Sequence, residues 1–286
     1  MLIMNTNGKI TDGNIYTVIY TTLVVVLVAA VLATVSQVLA PRQDANVKAE
    51  TISQMLAAAK FYEKSELDAM GNDKVLEAYR NAVKDAFLIK ADGTLDRNLD
   101  IESCEIVGTG ALKAQNKFIK NGETDKISIP VIIFNQDGKN VTVAACYGAG
   151  LWGPIWGYVA VNEDKTIRGV YFDHESETPG LGAKIKDDPA FRAEFEGKPV
   201  IYSADAPAFS IVKGGASVDN AVDAITGATM TCNGLNAAIQ TWLGAYEPYL
   251  NAVQPKGRLC DELLEKLEAP ADSLCCNAAD SLATAN

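Results

Sequence analysis

Apolar residues run without a charged one from Asn14 to Ala40, NIYTVIYTTLVVVLVAAVLATVSQVLA. At about 1.5 Å of rise per residue, a helix of that length reaches beyond a hydrocarbon core of roughly 30 Å. The pattern predicts one membrane-spanning helix. A secretory signal has an apolar region of about 7 to 15 residues behind a basic flank, whereas only Lys9 precedes this longer run. Pro41 directly follows the one plausible small-residue cleavage site, so the helix is read as an uncleaved anchor. No later segment is comparably long and free of charge.

After the span the period changes. NVKAETISQMLAAAKFY and NDKVLEAYRNAVKDAFLIK place apolar residues three and four apart, which predicts two amphipathic helices. Beyond Gly93 the runs become short and β-branched. PVIIFNQDGKNVTVAAC reads as two strands around a QDGK turn, and YVAVNEDKTIRGVYFD as two more around NEDKT, so two antiparallel hairpins are expected. Helical spacing returns in DPAFRAEF and again from Met230 to Leu250, where Leu235, Ile239 and Trp242 share a face before Pro248 weakens the helix. DELLEKLE forms a short charged helix, and the small polar end PADSLCCNAADSLATAN is expected to be disordered. The organisation is a short segment 1–13, a transmembrane helix 14–40, one α+β domain 41–250 with an antiparallel sheet and packed helices, and a partly disordered extension 251–286.

Composition narrows the partners. A chain of 286 residues with 48% apolar content can bury a substantial core. A net charge of -11 and no basic patch exclude a nucleic-acid partner, because phosphate-backbone binding needs clustered Lys and Arg. The six cysteines form no CxxC pair and have a single histidine to help them, which argues against a protein-ligated metal. Lys9, Arg42 and Lys48 are too evenly spread about the span to orient it by charge.

Two stretches carry candidate chemistry. In DAITGATMT, residues 223 to 231, Thr226 and Thr229 sit in a Gly-containing turn that feeds the C-terminal helix. One reading is a plain N-cap, in which a Ser, Thr or Asp oxygen accepts a free backbone N–H. The other is a phosphate site, in which those N–H groups and the helix dipole hold an oxyanion that Gly227 and Ala228 allow to come close. The second stretch, HESETPGLGAK, is a shaped loop after a strand ending at Asp173. Its Leu181, between Gly180 and Gly182, either tucks into the core or meets a flat apolar ligand. GLGAK lacks the spacing and the Ser or Thr of a P-loop, and His174 reads as a structural loop residue.

At these residues the chain resembles proteins carrying covalent FMN, whose attachment motif has Asp, a Ser or Thr, Gly, Ala and a final Thr in the order of DAITGAT. PRQDANV after the span, GLWGPIWGYVAV and FDHESETPGLG narrow the likeness to the NqrC family of the sodium-translocating NADH:quinone oxidoreductases, from the anchor to about Tyr249. The related flavin-carrying component of the Rnf electron-transport complex, RnfG, shares chiefly the TGAT and ETPGLG parts. The resemblance implies an FMN joined through its phosphate to Thr229, with Asp223, Thr226, Gly227 and Ala228 recognised by a flavin transferase. It also implies Thr178, Leu181, Gly182, Lys184, Trp152 and Gly153 as neighbours of the flavin. The implied setting is a bacterial inner membrane with the domain facing the periplasm. The implied role is an electron relay from NADH towards ubiquinone or menaquinone coupled to sodium export, with the complex's other subunits as partners. No GxGxxG follows a strand, as suits a relay protein with no NADH site of its own. An Rnf-type or stand-alone carrier, and a membrane-tethered binding module without flavin, are the alternative expectations.

Overall fold

The computed structural model describes residues 14–100, 107–136, 138–202, 207–214, 216 and 218–252. The segment before Asn14, Cys104 and everything after Ala252, including DELLEKLE and Cys260, Cys275 and Cys276, lie outside them. The chain divides into two units, 1–49 and 50–286.

The first unit holds most of helix α1 (Asn14–Ala58), which runs through Pro41 without stopping although that proline supplies no backbone N–H. Val18, Leu23, Val25, Leu32 and Val38 all lie exposed along it. Among the described residues α1 is the one helix long and apolar enough to cross a membrane.

The second unit begins with the last turns of α1, where Ile52, Met55, Leu56 and Ala58 are fully buried. Helices α2 (Lys64–Ala69) and α3 (Asn72–Ala82) follow, then strands β1 (Val83–Lys90) and β2 (Leu95–Asn98) and helix α4 (Thr109–Asn121). The two expected hairpins are present as β3 (Ser128–Gln136) with β4 (Lys139–Ala149), and β5 (Pro154–Asn162) with β6 (Ile167–His174). Together these strands form one antiparallel sheet of six in the order β2-β1-β3-β4-β5-β6.

The helix expected through Lys90 ends instead at Ala82, and VKDAFLIK is strand β1, with Phe87 opposite Val131 and Ala86 opposite Ile132. The contiguous run Ala86–Ile89 is wholly buried. A helix would spread such a run around its circumference, whereas a strand covered on both faces buries all of it.

Short helices α5 (Lys184–Asp187) and α6 (Pro189–Ala193) and a parallel pair, β7 (Ser210–Val212) and β8 (Ala221–Asp223), lead into helix α7 (Thr229–Ala252). Leu235, Ile239 and Trp242 are buried along α7 as the spacing predicts, and the helix continues through Pro248 to Ala252. Polar groups fix its placement on the sheet. Trp242 Nε1 donates to the Tyr147 carbonyl at 3.0 Å, and Tyr246 donates its hydroxyl to the Pro130 carbonyl at 2.6 Å while accepting from Ala145 N–H at 3.2 Å. The start of α7 therefore has a fixed address near the β4–β5 end of the sheet.

Candidate functional site

Strand β8 ends at Asp223, and Ala224 N–H bonds the Val212 carbonyl at 2.7 Å, so the chain leaves the small sheet in a defined direction. The turn then closes with Ala228 N–H on the Ile225 carbonyl at 3.1 Å, and Gly227 takes φ +83°, a left-handed value that suits glycine. The first bond of α7 runs from Cys232 N–H to the Ala228 carbonyl at 2.9 Å. Ala228 therefore occupies the cap position, and it has no side-chain oxygen with which to cap. Among the described residues, the N–H groups of Thr229, Met230 and Thr231 meet no acceptor. The plain N-cap reading of TGAT is thus not what the chain builds. The side chains of Thr226 and Thr229 are exposed, so both hydroxyls are reachable. Asp223 is exposed as well, but its carboxylate accepts from Ala216 N–H at 2.7 Å and so braces the preceding loop.

The ETPGLG loop lies against this turn. Its shape comes from the Thr178 carbonyl, which accepts from both Leu181 N–H and Ala183 N–H at 3.1 Å. Leu181 does not enter the core: it is 45% exposed, and its Cδ2 would lie 3.1 Å from a Cβ added at Gly227. Trp152, 66% exposed, projects from the GLWG turn, where Gly150 N–H meets the Gly153 carbonyl at 2.8 Å. Ser176 donates its hydroxyl to the Trp152 carbonyl at 2.9 Å and so joins that turn to the loop. Leu151 and Met230 are exposed too, so the three segments share an apolar rim. Lys184, half-buried at the start of α5, makes no ion pair among the described residues.

Beneath the rim lies a group that sequence reasoning passed over. Glu177 is 4% exposed; its Oε1 accepts from Trp152 N–H at 2.8 Å and its Oε2 from the Thr231 hydroxyl at 2.6 Å. Its own N–H donates to His174 Nδ1 at 3.2 Å, which gives His174 the structural part expected of it. A Cβ at Gly182 would come 2.6 Å from Thr231 Oγ1 and would strike the Glu177 carboxylate, so any side chain there would have to displace the bond between them. In the sequence Glu177 stands in the polar run DHESET with Asp173 and Glu175, so nothing local marks it as buried.

A second buried carboxylate anchors the loop from behind. Asp173, at the end of β6, pairs with Lys186 Nζ at 2.8 Å and accepts from Gln54 Nε2 at 2.7 Å. Trp156 Nε1 in turn donates to Gln54 Oε1 at 3.3 Å, so the base of α1 reaches the loop through side chains. The two described cysteines, Cys146 and Cys232, are free and buried. Burial pushes the Cys146 thiol up to about 12, and burial also raises that of Cys232, against a bond from Ile225 N–H. Among the described residues no cluster of His, Cys, Asp or Glu suits a metal ion.

The structure thus brings Thr226, Gly227, Ala228, Thr229, Leu181, Gly182, Trp152 and Gly153 to one face, with Thr178 and Lys184 at the two ends of the loop and Asp223 behind the turn. Open N–H groups at a helix start beside a partly exposed leucine and tryptophan fit a planar aromatic ligand bearing a phosphate. Residues 150–244 match the family model for the FMN-binding domain, which defines the class: a flavin-binding domain protein. The C-type subunit of the Na(+)-translocating NADH-quinone reductase of Vibrio campbellii is 32% identical over 182 residues, covering 60% of this chain and 68% of the relative. The counterpart from Vibrio vulnificus is 36% identical over 131 residues, so there the match spans 44% of this chain and 51% of the relative, about half its length. The crystal structure of the counterpart from Parabacteroides distasonis is 31% identical, with a TM-score of 0.59 over 73% of this chain and 94% of that one. The chain belongs to the NqrC family of the Na(+)-translocating NADH-quinone reductases.

Proposed function

We propose that the chain carries FMN in phosphoester linkage to Thr229 and serves as a membrane-anchored electron relay in a sodium-translocating NADH:quinone oxidoreductase. The observation that carries the reading is the uncapped start of α7. Ala228 leaves three N–H groups without an acceptor among the described residues, beside the exposed hydroxyl of Thr229. A phosphodiester there is an anion at the positive end of a helix dipole, worth roughly 0.3 to 1 kcal/mol at an exposed position. In maturation the Thr229 hydroxyl loses its proton and accepts the flavin-side phosphoryl group of FAD, AMP leaves, and a separate flavin transferase with magnesium catalyses the exchange. When bound, the flavin supplies a redox centre that takes up and gives out electrons.

The protein's own residues hold and shield that group. Leu181 and Trp152 offer apolar surface for the ring system, and Gly182 keeps the loop close to α7. Thr178 and Lys184 supply a hydroxyl and a cation at the ends of the loop. The covalent bond retains the flavin in a periplasmic domain, where a freely dissociating cofactor would be lost, and α1 holds it beside the other subunits of the complex. The apolar rim of Leu151, Trp152 and Met230 suits an electron-transfer contact with one of them.

The test is the intact mass of the denatured full chain after coexpression with a flavin transferase, beside Thr229→Ala. The parent should gain one FMN less one water and the variant nothing. A parent without added mass, in cells that modify a known flavinylated protein, means that the α7 start is no attachment site.

A further inference from the structure

We infer that Glu177 is the positioning residue of this site: its one carboxylate locks the GLWG turn and the ETPGLG loop onto the first turn of α7. The inference rests on the attachment proposed for Thr229. Each oxygen serves a different segment, Oε1 taking Trp152 N–H at 2.8 Å and Oε2 taking the Thr231 hydroxyl at 2.6 Å. Thr231 lies two residues beyond Thr229 in the same helical turn, so the second bond fixes the loop to the piece of helix that bears the attachment hydroxyl.

The surroundings are shaped for this one side chain. Added Cβ atoms at Gly150 and at Gly182 would both collide with the Glu177 carboxylate, one from the turn and one from its own loop. Among the described residues no cation pairs with Glu177, which sets it apart from Asp173 four positions earlier with its Lys186 partner. A buried carboxylate without a cation is held by the hydrogen bonds it accepts, and both of these come from segments that form the flavin wall. Removing it strands Trp152 N–H and the Thr231 hydroxyl and frees Trp152 and Leu181 to move relative to Thr229.

Glutamine of the same shape can restore the lock. Its carbonyl accepts from Trp152 N–H and its amide donates to the Thr231 oxygen, which accepts as well as donates. A role as a hydrogen-bonded tie therefore predicts rescue by Glu177→Gln and failure in Glu177→Ala.

The experiment takes the full chain in detergent, coexpressed with a flavin transferase, with the FMN mass first established in the parent. Parent, Glu177→Ala, Glu177→Gln and Thr231→Val are compared by iodide quenching of flavin fluorescence, with thermal unfolding as the check on folding. Glu177→Ala should raise the quenching constant by about threefold or more as the wall opens locally, and Thr231→Val by a smaller factor, whereas Glu177→Gln should match the parent. Quenching unchanged in Glu177→Ala, or as high in Glu177→Gln as in Glu177→Ala, overturns the inference. Should Glu177→Ala not fold, Thr231→Val decides: a folded variant with parent-like quenching overturns it. A parent without FMN mass fails the attachment reading itself, a result separate from any difference among the variants.

Discussion

Helices α6 and α7 begin in opposite ways. Asp188 caps α6 with a side-chain oxygen that accepts from Ala190 N–H at 3.0 Å, and Pro189 fills the first helical position. α7 begins with Ala228, which has no side-chain oxygen to offer, and with three N–H groups left open among the described residues. A helix of 5 residues is closed with care while one of 24 residues, the longest in the second unit, is left uncapped. A missing cap sacrifices about 0.5 to 2 kcal/mol, a deficit that a ligand's phosphate can offset. Helices α3, α4 and α5 also begin without a side-chain cap, so what sets the α7 start apart is the exposed Thr229 hydroxyl next to its open N–H groups and the Leu181 loop lying against its turn.

Asp173 supports both starts, because its partner Lys186 stands two residues before Asp188 and its own strand launches the loop that carries Leu181. Asp173→Ala should give the largest effect on stability. Breaking a buried pair costs about 3 to 5 kcal/mol, and with the Lys186 side chain 36% exposed to screening solvent the loss should be nearer about 2 to 3 kcal/mol. Chemical denaturation of the full chain measures it. A loss below about 0.5 kcal/mol, the usual range of a surface change, would deny Asp173 that supporting role.

Closing the open helix tests the contrast directly. Ala228→Asp places a carboxylate at the cap position, where it accepts the free N–H groups and repels a phosphate. Ala228 is 5% exposed, so thermal unfolding first identifies the folded protein, and in that folded fraction the share of chains carrying FMN mass should fall by about tenfold. Parent-like modification in a folded Ala228→Asp protein would mean that the open N–H groups play no part in receiving the flavin.

Much of this was legible along the chain because it was encoded locally. Both hairpins carry alternating strands around short turns, and the buried face of α7 repeats every three to four residues, so pattern alone places them. TGAT and ETPGLG were visible as motifs for the same reason. Contacts between segments distant in sequence were not. Whether VKDAFLIK is helix or strand is decided by its pairing with β3, more than thirty residues further on, which no local window contains. The lock at Glu177 needs three segments in register at once, and its residue type, the commonest kind of surface side chain, gives no sign of burial. The cap question likewise turned on which residue accepts the first helical bond, a matter of one position in a turn whose threonines made capping the obvious expectation.

The smallest expected effect falls on the capped helix. Asp188→Ala removes the bond to Ala190 N–H and leaves Pro189 in place, so stability should drop by about 1 kcal/mol. FMN mass and iodide quenching should both stay at the parent's values, because the α6 cap lies outside the turn and loop that face Thr229. That outcome would separate a helix start that only closes structure from one that receives a ligand. A fall in FMN content at unchanged stability would instead make the two helix starts parts of one site, and the contrast between them would lose its functional meaning.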